Sequence, residues 1–326
     1  MTFFLQLVVT GFALGMIYAL VAIGFVIILK CSEAFNIAQG HFVLIGGYLG
    51  YTFLVTFGLP VWIGMCLAIA VAVVLGLLIE RLTLRPLVGQ PVLAIVMMTI
   101  ALATILEGLA TLIWGGEYKT YHGVLPTLTV KLGQISIPPE SVIGLIVSIV
   151  ALIILLLFFR YTKIGLAMRA TAEDLQVVQS VGIKATTVYA VSWVIACVVG
   201  VIGGILLGGV SGVMIPLAEI GLKAFAVVLL GGVNSIGGAI VAGIIVGVLE
   251  NVAAGYLDPL LPRGGLAQVF PFTAGPGCGG GPLFGGRPGP WSRGAAAPDP
   301  RQPHRHGLSG AHDRPEPGLN RRGAGG

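Results

Sequence analysis

Apolar residues fill this chain in blocks of about twenty, the length a helix needs to cross a bilayer core. Residues 4–29 form the first block and stop at Lys30. Residues 35–57 start polar, with Asn36, Gln39 and His41, and continue apolar up to the turn signal Gly58-Leu59-Pro60. Further blocks cover 61–82, 92–114, 141–159 and 187–213. Between them, 115–140 carries Gly, Pro and charge and reads as a loop, and 160–186 is the most charged stretch of the apolar part. Residues 217–256 differ. Here 222–233 is apolar but short, Asn234-Ser235-Ile236-Gly237-Gly238 interrupts the run, and 236–256 is long enough to span. The short piece reads as a tilted crossing or a broken helix, which needs protein or a cavity around its backbone. The pattern predicts an all-α fold, a polytopic transmembrane helical bundle of about seven to eight spans with a broken or short helix near 217–238.

Composition agrees. Of 326 residues, 56% are apolar and 10% charged, with a mean hydropathy of +0.99. Soluble domains are about 45–50% apolar even with Gly counted, and about 25% charged. An ordinary water-soluble enzyme is excluded, as is a disordered chain. The net charge of +5 misleads, because +4 of it falls in residues 273–326. It is no nucleic-acid footprint. Cys31, Cys66, Cys197 and Cys278 show no C-x-x-C spacing, so neither a disulfide framework nor a metal site is expected. The chain opens MTFFLQLVV without a basic leader, so the first block reads as a retained span rather than a signal peptide.

Basic residues set an orientation. With the N-terminus outside, one set of links holds Lys30, Arg81, Arg85, Arg160, Lys163, Arg169 and Lys184, while the 115–140 link holds Lys119 and Lys131. The positive-inside rule then puts 160–186 in the cytoplasm. Small residues mark helix contacts. Gly200, Gly204, Gly208 and Gly212 recur every four residues, as do Ala239, Gly243 and Gly247, and Gly11 and Gly15. Such stripes let helices approach closely in lipid.

The chain divides into a membrane domain, 1–272, and a tail, 273–326. The tail holds 15 Gly, nine Pro, seven Arg and six Ala, and no Val, Ile, Met or Lys. These four abundant residues have codons that begin with two G or C bases, so a GC-rich gene read out of frame gives this composition. We read the tail as a frameshift that replaced the last membrane helix, with a Pro/Gly-rich disordered tail as the alternative. On the first reading His304, His306 and His312 cluster by accident.

Chemistry concentrates in a few places. Glu107 lies inside the fourth block and Glu250 near the end of the last. A charge at bilayer depth costs about 2.5–3.5 kcal/mol on insertion scales, so it usually faces the bundle interior. Asn36, Gln39, His41, Glu107 and Glu250 are the candidates for a solute path, against capping or structural roles. Lys223 and Glu219 are spaced to pair on one helix face. In 160–186, Thr171 followed by Glu173 and Asp174 reads as the acidic first turn of a short helix, with Gly182 at its C-terminal cap.

The stretch Gly165-Leu-Ala-Met-Arg-Ala-Thr-Ala-Glu-Asp, with Val181-Gly182-Ile183, resembles the coupling loop of branched-chain amino acid ABC transporter permeases of the LivH-like kind. So do Gly15-Met-Ile-Tyr-Ala-Leu-Val-Ala-Ile-Gly24, Asn36-Ile-Ala-Gln-Gly40, Glu80-Arg-Leu-Thr-Leu-Arg-Pro-Leu87 and Leu222-Lys-Ala-Phe-Ala-Val-Val-Leu-Leu-Gly-Gly232. These segments fall in order along 1–272. The family ends on a further apolar span, and the chain departs from it there.

The resemblance implies a multi-pass permease of the bacterial inner (plasma) membrane, not an enzyme. Its implied partners are a second permease subunit, two cytoplasmic ATPase subunits and a periplasmic substrate-binding protein, with no cofactor and no nucleic acid. It gives Gly165, Arg169, Ala170, Glu173, Asp174 and Gly182 a role in coupling to the ATPase. The chain has no P-loop motif, so ATP hydrolysis would come from other chains. Neither H-E-x-x-H nor G-x-S-x-G occurs. The rival readings are a passive channel for small neutral solutes, a permease of the same family for urea or short amides, an integral-membrane enzyme, and a copy inactivated by loss of its last helix.

Overall fold

A computed structural model describes residues 2–32, 35–87, 90–121, 130–132, 135–173 and 185–256. Its axis is α1, Thr2–Ser32, a helix about 46 Å long at 1.5 Å per residue. Its most apolar window is 89% buried, against 22% for the helix over Val92–Trp114. A helix that is apolar on every side belongs inside a bundle, and α1 is apolar all round from Met16 to Leu29.

Among the described residues, six helices are long and apolar enough to cross a membrane. They are α1, α3 (Val61–Ile79, prolonged by a π turn over Glu80–Leu84), α4 (Val92–Trp114), α5 (Pro139–Tyr161), α7 (Ala185–Ser211) and α9 (Ile236–Tyr256). Three shorter helices complete the described set: α2 (Gln39–Gly50), extended by a π turn over Tyr51–Thr56, α6 (Lys163–Glu173) and α8 (Ile220–Gly231). Two three-residue strands, Val130–Leu132 and Ile135–Ile137, form an antiparallel hairpin in the 115–140 link. The interrupted stretch near 217–238 resolves into a 3-10 turn over Ile215–Glu219, α8, and a break at Gly232–Ser235 before α9.

Small residues place the helices. Gly11 and Gly15 of α1 face Gly243 and Gly247 of α9 at backbone contact. A Cβ on Gly15 would lie 2.6 Å from the Gly243 carbonyl oxygen. In α7, Gly200 lies against Phe42, and Gly204 lies against the Val43 carbonyl and the Gly47 backbone. This seats α2 in the middle of the protein, with 11 of its 12 residues buried. Gly212 departs from the expected stripe. It follows the last residue of α7, has φ of 75°, and its N–H returns to the Gly208 carbonyl. It ends the helix in the left-handed region, where a side chain is strained.

Lys30, Arg160, Lys163 and Arg169 gather at one end of the bundle, where the Cys31 thiol donates to the Met168 carbonyl over 3.9 Å. At the other end, residues 115–121 are clipped down. Tyr121 donates to the Gly47 carbonyl (2.6 Å), Tyr118 to the Ser211 carbonyl (2.8 Å), and Lys119 exchanges backbone bonds with Val213. Burial pushes the Tyr121 phenol up from its usual range, so it remains a donor. The tail 273–326 lies outside the described residues, and so do its histidines and Cys278.

Candidate functional site

The chain enters α2 below the surface of the bundle. Its polar start is enclosed: Asn36 and Gln39 are fully buried. Asn36 Oδ1 accepts from the Ala38 N–H (3.1 Å), and Asn36 Nδ2 donates to Gln39 Oε1 (3.2 Å). Gln39 Nε2 reaches the Ala196 carbonyl of α7 at 3.1 Å. The amide passes between Gly24 of α1 and Gly200 of α7, where neither position has a side chain to block it. From α4, Thr99 donates to the Phe35 carbonyl (3.2 Å) and accepts from the Ile37 N–H (3.4 Å). These bonds satisfy the non-helical backbone ahead of α2, which lipid could not do. Asn36 and Gln39 are thereby committed to the fold at this point. Beside them, the first turns of α2 and α8 cross with Gly40 and Gly221 at backbone contact.

His41 and Glu107 meet across α2 and α4. His41 Nε2 lies 3.4 Å from Glu107 Oε2; the His41 side chain is 15% exposed and that of Glu107 is 48%. His41 Nδ1 is buried and has no hydrogen-bond partner among the described residues. A buried orphan N–H is rarer than an orphan acceptor, which favours the proton on Nε2, donating to Glu107. The outer end of α4 is fixed by Trp114, which stacks on Tyr48 (ring centroids 5.1 Å apart) and donates to Thr52 Oγ1 at 2.7 Å. Glu107 therefore stays opposite His41.

Glu250 has a different setting from Glu107. It forms an ion pair with Lys223 at 2.8 Å, with both side chains almost completely enclosed. Lys223 also reaches the Tyr18 hydroxyl at 3.4 Å. The cation and carboxylate tie α8 to α9 against α1. The partner of Lys223 across the bundle is thus a residue 27 positions away, which the local spacing to Glu219 did not anticipate. Enclosure in this pair takes Glu250 out of any open path in this conformation.

At the basic end, α6 folds back sharply on α5. Thr162 caps it, its Oγ1 accepting from the Gly165 N–H at 2.9 Å. Gly165 permits the corner: a Cβ there would lie 2.6 Å from the Phe158 carbonyl and 2.8 Å from Phe159 Cα. The buried face carries Gly165, Met168 and Thr171. Lys163, Leu166, Arg169 and Glu173 are exposed, and Ala170 is half-buried. Leu166, Arg169 and Glu173 stand at i, i+3 and i+7, on one outward face. Glu173 is the last described residue of the helix that begins at Lys163, after the Thr162 cap; the helix expected from Thr171 to Gly182 lies mostly outside the described residues. Asp174 and Gly182 lie outside the described residues.

With this geometry in hand, known proteins supply a further finding. The family described as "Branched-chain amino acid transport system / permease component" matches residues 7–270. The chain belongs to this family. LivH of Salmonella typhimurium, a high-affinity branched-chain amino acid transport permease protein, is 32% identical over 78% of this chain and 88% of its own. LivH of Escherichia coli K12 is 31% identical over the same shares, and BraD of Pseudomonas aeruginosa 31% over 77% and 86%. A chain of PsaBC from Streptococcus pneumoniae, in complex with Fab, superposes loosely (TM-score 0.43, 18% identity, 83% of this chain and 88% of that one). The present chain is accordingly a permease component of a transport system and a multi-pass protein of the bacterial inner membrane.

Two residues of these sites escaped the sequence. Thr99 was one hydroxyl in an apolar block, and Tyr18 meets Lys223 only across most of the chain. The Thr162 cap could have been found, since a Thr just ahead of a helical segment is an N-cap signal.

Proposed function

We propose that this chain is the membrane subunit of an ATP-binding-cassette importer for branched-chain amino acids. A periplasmic binding protein delivers the solute, this chain and a second permease subunit form the path, and two cytoplasmic ATPases drive it. Family membership supports the solute class. The observation that carries the coupling part is α6. It is a short helix outside the spans, with Leu166, Arg169 and Glu173 turned outward and its other face locked to the bundle.

The lock makes α6 suited to transmit force. Its capped N-terminus sits on the α5 backbone through Gly165, and its Met168 carbonyl meets Cys31 at the end of α1. A push on the outward face tilts α5 and α1 together, with little slack. Leu166 gives an apolar anchor for a groove on the ATPase, and Arg169 and Glu173 set its register by charge.

Charge reversal at this face tests the reading. In proteoliposomes holding the complete importer, Glu173→Lys, alone or with Arg169→Glu, is expected to abolish ATP-driven uptake while the permease still inserts at normal levels. Normal uptake by the double variant would contradict it.

A further inference from the structure

Glu107 shares its face of α4 with hydroxyls. Thr104, Glu107 and Thr111 stand at i, i+3 and i+7, and all three are exposed. Both hydroxyls bond back to their own helix, Thr104 to the Ile100 carbonyl (3.2 Å) and Thr111 to the Glu107 carbonyl (2.9 Å). Beside them Gly108 opens onto free space, with no atom within 4 Å of where a Cβ would stand. The other large outward side chains of α4, among them Leu93, Met97, Ile100, Ile105, Leu109, Leu112 and Ile113, are apolar and exposed, as expected of a surface in lipid. From Thr104 to Thr111, α4 therefore carries a polar stripe with a carboxylate at its centre, beside a greasy face at Ile105, Leu109 and Leu112. The carboxylate lies about 22 Å along α4 from Val92, well within the span. A carboxylate facing hydrocarbon at that depth costs about 2.5–3.5 kcal/mol on insertion scales, which favours a polar cavity or a protein neighbour instead.

We propose that the Thr104–Glu107–Thr111 face lines the solute path, and that Glu107 takes the ammonium group of the amino acid in transit. This rests on the reading above that the solute is an amino acid. A carboxylate accepts at two oxygens, so the bond to His41 leaves capacity for an ammonium donor. His41 is a positioning residue that holds Glu107 at the edge of the path. Ile100, one turn further along the same face, and Ile37, whose N–H meets Thr99, offer apolar surface for a branched side chain.

The experiment uses the complete importer in proteoliposomes, with radiolabelled leucine as the probe. Glu107→Gln is expected to lower uptake at least about tenfold, the worth of one hydrogen bond to a charged group, and Glu107→Asp to restore most of it. Stimulation of the ATPase by the binding protein should persist in both variants. In a background with Cys66→Ala and Cys278→Ala, Glu107→Cys should react with a water-soluble maleimide, more slowly when leucine-loaded binding protein is present. Uptake by Glu107→Gln within about twofold of the parent, well short of that bond's worth, would overturn the assignment of Glu107 alone. So would a cysteine at 107 that is inert to the reagent. Failure of the parent protein to move leucine would instead remove the amino acid reading on which the assignment stands.

Discussion

At the scale of single residues, enclosure separates two carboxylates that look alike in the sequence. Glu250 is sealed against Lys223, whereas Glu107 is open and held by His41. Breaking a buried pair by removing one partner leaves an uncompensated charge and typically costs about 3–5 kcal/mol. Lys223→Ala is therefore expected to lower thermal stability in detergent sharply, and Lys223→Ala with Glu250→Ala to recover part of the loss. A melting temperature for Lys223→Ala equal to the parent's would show that the pair does not hold α8 in place. Glycine gives a second case. A side chain at Gly204 would run into the Val43 carbonyl, so Gly204→Val should cost about 1–3 kcal/mol by overpacking, read as reduced stability of the purified protein. The glycine stripe was legible because a four-residue repeat is a local pattern. The partner of Lys223 was not, because a pair 27 residues apart is set by how α8 and α9 pack.

Among the elements, the spans were the most legible part of the sequence. Blocks at 92–114 and 236–256 coincide with α4 and α9, since twenty apolar residues in a row allow little else. The short elements were harder. Their positions depend on caps and backbone contacts: α6 begins where Thr162 bonds Gly165. Thr162→Ala should therefore cost about 1 kcal/mol of local stability. Hydrogen exchange on the α6 amides would rise in that variant while α1 and α7 stay protected. Equal exchange at α6 with and without the hydroxyl would show that the cap is idle. The candidate path was legible in part. Asn36, Gln39 and His41 were visible as a polar cluster, but only the fold shows that the first two serve the backbone while His41 turns to Glu107.

For the molecule as a whole, the bundle is organised around two helices that touch lipid least, α1 and α2. The other long helices surround them, and α3, α4 and α5 keep broad apolar faces outward. The family match ends at residue 270, close to where the Gly/Pro/Arg-rich tail begins. We propose that the tail replaces a membrane helix by a shift of reading frame. A single-base correction ahead of residue 273 should then encode a Val- and Leu-rich segment and raise the amount of protein that assembles in the membrane. Repeated sequencing that shows this same tail in an unbroken frame would refute the shift.

The most direct measurement is leucine accumulation in proteoliposomes containing this chain, the second permease subunit and the two ATPases, with the binding protein outside. Uphill accumulation is expected with ATP inside and none when the ATPases are disabled. Leucine that equilibrates across the membrane without ATP, or with disabled ATPases, would contradict a driven permease and make the chain a passive channel.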